Sequence, residues 1–170
     1  MRGRPMRLSF AGGALPSGAA LLVLRLVMGP MLAYHGYRKL DAGVGKFVGT
    51  VARYGFPFPE LLARATIVIE FVGGICLVLG LLTRLWGGLV TAQMLLIVAK
   101  VQWHNGLFGP PGRGGGFELN LLYAGIAAAL LIAGPGLLAV DHAIGLEVDL
   151  TPRPARPGPA RPEERARAGA

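Results

Sequence analysis

The residue with the clearest potential for chemistry is Glu70, a carboxylate near the middle of the apolar stretch 61–82. That stretch is long enough to cross a bilayer, and a charge at such a depth costs about 3 kcal/mol on insertion scales. A carboxylate in this setting is normally paired, protonated or directed into a wet cavity. Glu70 therefore belongs either to a structural polar network or to a functional pocket, and its partners decide between the two.

Two basic residues are the expected partners of Glu70. His35 and Lys100 lie on the apolar stretches before and after it, at a depth that a rise of about 1.5 Å per residue makes comparable. Side chains lean toward the N-terminal end of their own helix, so Glu70, on a helix of opposite direction, leans toward both bases. We expect His35, Glu70 and Lys100 to line one polar pocket, with His104 and Asn120 near its mouth.

Two further observations bear on this pocket. Gln93, Lys100 and His104 fall within about 20° of one stripe at 100° per residue, which indicates that this helix face is turned away from lipid. Arg25 lies roughly 9 Å from the nearer membrane face at 1.5 Å per residue, and it leans away from Glu70. We expect Arg25 to extend to the lipid head groups instead of pairing with Glu70.

Metal, haem and thiol chemistry fit the sequence poorly. His35, Glu70, His104 and Glu118 are ligand types, but none shows a local ligand spacing such as H-x-x-E-H, and we predict no metal site. Haem held by the two histidines would place one ligand at the membrane edge. The single cysteine, Cys76, excludes an intramolecular disulfide and thiol–disulfide exchange within this chain.

The composition explains why these polar residues stand out. Of 170 residues, 53% are hydrophobic and only 15% are charged, whereas a soluble domain of this size needs far more charge to cover its surface. The net charge of +8 is carried by residues in the termini and at the ends of the apolar stretches. That distribution suits lipid head groups, so we predict the lipid bilayer as a partner and no nucleic acid.

The pattern predicts an all-α integral membrane four-helix bundle with a short interfacial helix between helices one and two. This domain covers residues 18–150, between a basic N-terminal segment at 1–17 and a disordered Pro- and Arg-rich tail at 151–170. The predicted segments are helix one at 18–40, the interfacial segment at 41–60, helix two at 61–82, helix three at 85–103, a Gly- and Pro-rich loop at 105–116 and helix four at 117–132.

Four crossings place both termini on one membrane face, which we call face A, and the opposite face is face B. Face A has nine basic residues and face B has seven, so the positive-inside rule favours face A as cytoplasmic. The polar pocket around Glu70 would then open toward face B, outside the cytoplasm.

The order of segments resembles the DoxX family of small bacterial membrane proteins. The matching pieces are LRLVMGPMLAYHGYRKL, GFPFPE, EFVGGICLVLGLLTRL, NGLFGPPG and FELNLLY, and together they cover about residues 21–141. The resemblance implies a four-helix bundle in the plasma membrane. Some DoxX-like proteins are subunits of a thiosulfate:quinone oxidoreductase, and others associate with redox or sulfur-handling partners.

Two functions of different classes follow from these observations. The first is a redox-associated, quinone-linked oxidoreductase subunit, in which a base near face B binds the quinone and a soluble redox partner delivers the electrons. The second is a non-catalytic membrane scaffold that docks soluble redox or sulfur-handling enzymes, such as a sulfurtransferase. A carrier for a small anion or lipid is weaker, because four short helices leave little room for alternating access. The sequence leaves open whether the chain is itself an enzyme.

Overall fold

A computed structural model describes residues 17–109 and 115–146 of the chain, and this part is helical, with no strand. The expected basic segment and C-terminal tail, apart from Ser17, lie outside these residues. The residues after Ile97 form a π-helical turn at Val98–Gln102 and then a 3₁₀ turn at Trp103–Asn105. The helices are α1 Ser17–Asp41, α2 Val44–Arg53, α3 Pro59–Leu79, α4 Thr83–Ile97, α5 Glu118–Ala133 and α6 Val140–Ala143.

Three of these helices are long and apolar enough to cross a membrane, namely Gly18–Asp41, Pro59–Leu79 and Thr83–Asn105. Their outward faces carry exposed large apolar side chains such as Val27 and Leu85, as expected of surfaces that contact lipid. The all-α membrane fold and the short helix α2 after the first span are confirmed. Helix α5 is apolar but has only 16 residues, so the count of four crossings stays a prediction.

Helices α1 and α3 pack antiparallel through glycines, which allow their backbones to approach closely. A Cβ added at Gly74 would lie 2.5 Å from the Ala33 nitrogen and 2.7 Å from the Gly29 oxygen, so no larger residue fits there. A Cβ at Gly36 would lie 2.4 Å from the Phe71 nitrogen. Small residues at a helix interface are the usual means of close packing in membranes, where lipid is as apolar as the helices themselves.

Helices α4 and α5 form a second antiparallel pair beside the first. Gly87 lies against the α5 backbone, where an added Cβ would be 2.8 Å from the Ala127 oxygen. Trp86 of α4 packs on Gly73 of α3 and joins the two pairs. The shared core consists of Met28, Leu32, Leu77, Val90, Met94, Tyr123, Ala124, Ala127 and Leu130.

Arg25 is fully buried, which corrects the expectation that it extends to the lipid head groups. All its guanidinium nitrogens donate hydrogen bonds to backbone carbonyl oxygens, at 2.5 to 3.3 Å. Two acceptors lie in the last turn of α3, where carbonyls have no partner within the helix. The others lie in the segment that follows α5. The acceptors are Leu77, Val78, Pro135, Leu137 and Leu138.

Two other charged side chains complete helix ends at face A. The Asp141 carboxylate accepts hydrogen bonds from the backbone N–H groups of Leu82 at 2.6 Å and Thr83 at 2.9 Å, and so caps the start of α4. Arg84 donates to the carbonyls of Leu131 and Ile132 in the last turn of α5. The described charged side chains at this end of the helices, Arg25, Arg84 and Asp141, therefore satisfy backbone groups at helix termini.

Candidate functional site

Glu70 is buried, with 3% of its surface exposed, and it has two side-chain partners on neighbouring helices. One carboxylate oxygen pairs with the Lys39 ammonium at the end of α1. The other accepts a hydrogen bond of 2.8 Å from the Gln93 amide nitrogen on α4. Glu70 thus links α1, α3 and α4, and the pairing with a cation offsets the cost of burying its charge.

None of the residues expected around Glu70 is one of its two bonded partners. His35 is exposed and packs edge-on against the ring of Tyr123, with ring centroids 6.2 Å apart. Lys100 and His104 are exposed, and neither is hydrogen-bonded to Glu70. Asn120 is half-buried and donates to the Met94 sulfur at 3.3 Å. The predicted pairing of Glu70 with His35 or Lys100 is therefore wrong, and a role for these exposed residues in ligand binding stays a prediction.

The position of Lys39 in the sequence indicates that it is a possible partner of Glu70, although depth alone does not identify it. Lys39 lies four residues after His35, so the two occupy the same face of α1. A side chain at the end of α1 leans back toward the N-terminal end of the helix, and lysine is long enough to reach the depth of Glu70. The place of Lys39 at the end of an apolar stretch is typical of an interfacial cation, whereas the structure pairs its ammonium with the buried Glu70. The Lys39 side chain is 24% exposed.

A cavity of about 180 Å³ lies between α2, α3 and the end of α4, next to the Glu70 network. We call it the α2 cavity. Both partners of Glu70, Lys39 and Gln93, line it, and the Lys39 ammonium also lies 5.1 Å from the centre of the Phe47 ring. Apolar side chains that form its walls are Phe47, Val51, Phe56, Leu62, Leu96, Ile97 and Val101.

Gln93, which lines the α2 cavity, has a buried side-chain atom without a partner among the described residues. Its amide nitrogen must face Glu70, because an ionised carboxylate only accepts hydrogen bonds. The amide oxygen of Gln93 is left buried without a donor among the described residues. A buried acceptor of this kind is costly, and such an exception needs an explanation in a native structure. The two polar residues that contact Glu70 thus also line the cavity, one with a cationic donor and the other with a buried acceptor that has no partner among the described residues.

The helix that carries Gln93 is irregular beside the cavity. Residues Val98–Gln102 form a π-helical turn, and Val101 in this turn lines the cavity. Insertions of this type are rare and occur frequently at functional sites. In the described residues, no group of three or more His, Cys, Asp or Glu side chains is placed to hold a metal ion.

The comparison with known proteins identifies the family. The family model DoxX matches residues 20–103, a range that includes most of α1, all of α2, α3 and α4, and every residue that lines the α2 cavity. The chain belongs to the DoxX family. A relative described as an uncharacterized protein of Haemophilus influenzae (strain ATCC 51907 / DSM 11121 / KW20 / Rd) is 33% identical over 124 residues. That alignment covers 72% of this chain and 88% of the relative.

No solved structure matches this DoxX chain at a significant level. The matched range contains Lys39, Glu70 and Gln93, the three residues of the buried polar network. The matched range ends before α5 and α6. Arg25 and Leu82 lie within it, whereas their partners Pro135 and Asp141 lie beyond it.

Proposed function

We propose that this DoxX protein is a redox-associated subunit of the plasma membrane that binds a quinone ring in the α2 cavity. The observation that carries the proposal is the apolar cavity that both Lys39 and Gln93 line, together with a buried Gln93 side-chain oxygen that has no partner among the described residues. Quinones partition into the bilayer, and their ring oxygens accept hydrogen bonds when oxidised and donate them when reduced. Lys39 suits the oxidised ring as a donor, and the Gln93 oxygen suits the hydroxyl of the reduced ring.

The size of the α2 cavity supports a small ring as its occupant. Pockets for drug-sized ligands start at about 300 Å³, so a cavity of about 180 Å³ suits one ring with its tail left in the bilayer. Aromatic residues Phe47 and Phe56 provide flat apolar surface on its walls. A larger head group, or a haem, would not fit without moving α2.

Glu70 is assigned a positioning role in this proposal. Its carboxylate orients the Lys39 ammonium and fixes the Gln93 amide so that the oxygen of Gln93 is left for the ligand. A quinone bound there would take up electrons and protons. We propose that the electrons arrive from a soluble redox partner, because the chain offers only one cysteine, Cys76, and no paired thiols. Lys39 is the nearest group in the network that can hold a proton for the ring.

A binding measurement with defined variants tests the quinone site. The purified protein in nanodiscs would be photolabelled with an azidoquinone, and the labelled peptides mapped by mass spectrometry. We expect labelling of peptides that contain Phe47 or Leu96, with competition by unlabelled decylubiquinone. Gln93→Leu removes the free acceptor and should weaken binding about five- to tenfold, since one hydrogen bond to a ligand contributes about 1 to 1.5 kcal/mol.

Thr91→Val is the matched control for Gln93→Leu. Thr91 lies on the same helix, and its hydroxyl donates to the carbonyl of Gly87 in its own helix, at 2.7 Å. This variant should bind the quinone as the wild type does. Uniform labelling of lipid-facing peptides, or equal binding by Gln93→Leu and wild type, would refute the site. A chain that binds no quinone but retains a soluble enzyme in mild detergent would instead be a membrane scaffold.

We further propose that α5 is a fourth crossing and that both termini are cytoplasmic. The antiparallel packing of α5 on α4 supports this arrangement, and Arg84 joins the two helices at face A. Reporter fusions after Ala52, Arg84, Arg113 and Ala170 test it. Cytoplasmic activity is expected from the fusions after Arg84 and Ala170, and cytoplasmic activity from the fusions after Ala52 or Arg113 would overturn the topology.

A further inference from the structure

A second recess lies beside the α2 cavity, and its lining is basic. It has a volume of about 280 Å³ and is formed by the end of α1 and the start of α2. We call it the basic groove and define it by His35, Arg38, Lys39, Lys46 and Thr50. None of its lining residues among the described part of the chain is an aspartate or glutamate. The groove is therefore a concave surface of one charge sign.

Most of this positive charge is not neutralised by an ion pair among the described residues. Lys39 is paired with Glu70 below the groove. Arg38 and Lys46 are exposed, and neither has an ion pair among the described residues. In the part of the chain that the structure describes, Arg38 donates to the Tyr34 hydroxyl alone, at 3.4 Å, which leaves most of its guanidinium N–H groups available. Two basic side chains thus face one recess, and a planar guanidinium suits an anion with several oxygens.

The position of the groove suggests where such an anion comes from. It lies where the first membrane span ends at Asp41 and the helix α2 begins, on the face opposite the Arg25 and Asp141 contacts. Basic pockets at the ends of membrane helices attract the head groups of anionic lipids. Phe47 and Thr50 line both the groove and the apolar α2 cavity, so an amphiphile bound by its head group has apolar surface directly beside it.

We propose that the basic groove binds a phosphate group, and that an anionic phospholipid head group supplies it. Arg38 and Lys46 hold the phosphate oxygens, and the acyl chains lie along the outer surface of α1 and α2. This site is separate from the quinone ring proposed for the α2 cavity, since Gln93 lines the cavity but not the groove. Variants of Gln93 should leave phosphate binding unchanged, so the two proposals can fail independently.

The test is retention of lipid by the full-length protein. Protein reconstituted in mixed nanodiscs of phosphatidylglycerol and phosphatidylcholine would be released in a neutral detergent, and the bound lipid quantified by native mass spectrometry. We expect the wild type to retain phosphatidylglycerol in preference to phosphatidylcholine. Removal of one cation near a membrane surface weakens anionic lipid binding about fivefold. The double variant Arg38→Gln with Lys46→Gln should therefore bind phosphatidylglycerol about 30-fold more weakly.

Arg64→Gln is the matched control. Arg64 is an exposed cation on the start of α3 that pairs with Glu60 outside the groove, and its removal changes the net charge as much as either groove substitution alone. It should retain the lipid preference of the wild type. The substituted residues are exposed, and circular dichroism of each variant verifies that the fold is unchanged.

Inorganic phosphate at millimolar concentration distinguishes the source of the anion. If it fails to displace phosphatidylglycerol, the ligand is the lipid head group. If it displaces the lipid and protects the wild type, but not the double variant, from thermal unfolding, the groove is a site for free phosphate. Equal retention of the two lipids by the wild type, or an unchanged preference in the double variant, would overturn the proposal.

Discussion

Replacement of Arg25 by lysine tests the structural role assigned to the contacts at face A. The substitution keeps the positive charge and most of the apolar stem, but it changes the number of donors. The guanidinium supplies five N–H groups and donates five hydrogen bonds to backbone carbonyls, whereas an ammonium supplies at most three. At least two of the five carbonyls therefore lose this donor in Arg25→Lys.

The magnitude follows from this count. A hydrogen bond to a charged group contributes about 1.5 to 3 kcal/mol, so the loss of two reduces the free energy of unfolding by about 3 to 6 kcal/mol. That is a large part of the total for a domain, which is about 5 to 15 kcal/mol. The loss should be concentrated where α3 ends at Leu79 and in the segment of Pro135 and Leu137.

Equilibrium unfolding in mild detergent, followed by far-UV circular dichroism, measures this free energy. Hydrogen exchange adds a local measurement. The amide of Leu137, which donates to the Gly18 carbonyl, and the amide of Asp141, which donates to the Gly80 carbonyl, should exchange faster in Arg25→Lys. Arg64→Lys is the control, because this exposed residue pairs with Glu60 and surface pairs contribute about 1 kcal/mol or less. If the free energy of unfolding of Arg25→Lys is within about 0.5 kcal/mol of the wild-type value, the carbonyl contacts do not stabilise the fold as argued.

Two further substitutions test the helix contacts. Gly74→Ala should destabilise the protein by about 1 to 3 kcal/mol, because the new Cβ meets backbone atoms of α1 that cannot rotate away. Gly125→Ala is the control in the same unfolding assay. Its new Cβ has nothing within 4 Å, so this variant should be neutral or stabilising. Equal stability of the two variants would contradict the close packing of α1 on α3. Asp141→Asn leaves one of the two amide donors at the start of α4 without its acceptor and should lower the free energy of unfolding by about 1 to 2 kcal/mol. The control Asp41→Asn, at an exposed residue, should lower it by less than about 0.5 kcal/mol. Equal losses of stability in the two variants would exclude the capping role.

Local sequence patterns determined most of the helical architecture. The apolar stretches have the length that a bilayer requires, and this property depends only on neighbouring residues, so the three long spans could be predicted from the chain alone. Local sequence also marks the ends of helices. Pro59 indicates the start of α3, and the Gly- and Pro-rich stretch before α5 indicates a loop. The order of these segments was also sufficient to recognise the DoxX family, which the comparison confirmed.

The presence of a buried polar network could be predicted, although its members could not. Glu70 had to be paired because its depth makes an isolated carboxylate costly, and the structure bears this out. Which cation pairs with it depends on the rotation of α1 about its axis and on side-chain reach. His35 and Lys39 lie on one face of α1, and the structure places Lys39 in contact with Glu70 and His35 against Tyr123.

Only the tertiary structure decided the fate of Arg25 and the shape of the cavity. An arginine near a helix end has two ways to satisfy its donors, in the head groups or on unpaired carbonyls of other helices, and sequence patterns describe only the first. The carbonyls that Arg25 reaches lie 52 to 113 residues away in the chain, at Leu77 and as far as Leu138. Segments so distant come together only when the helices pack, and for that reason their contacts could not be predicted from the local sequence.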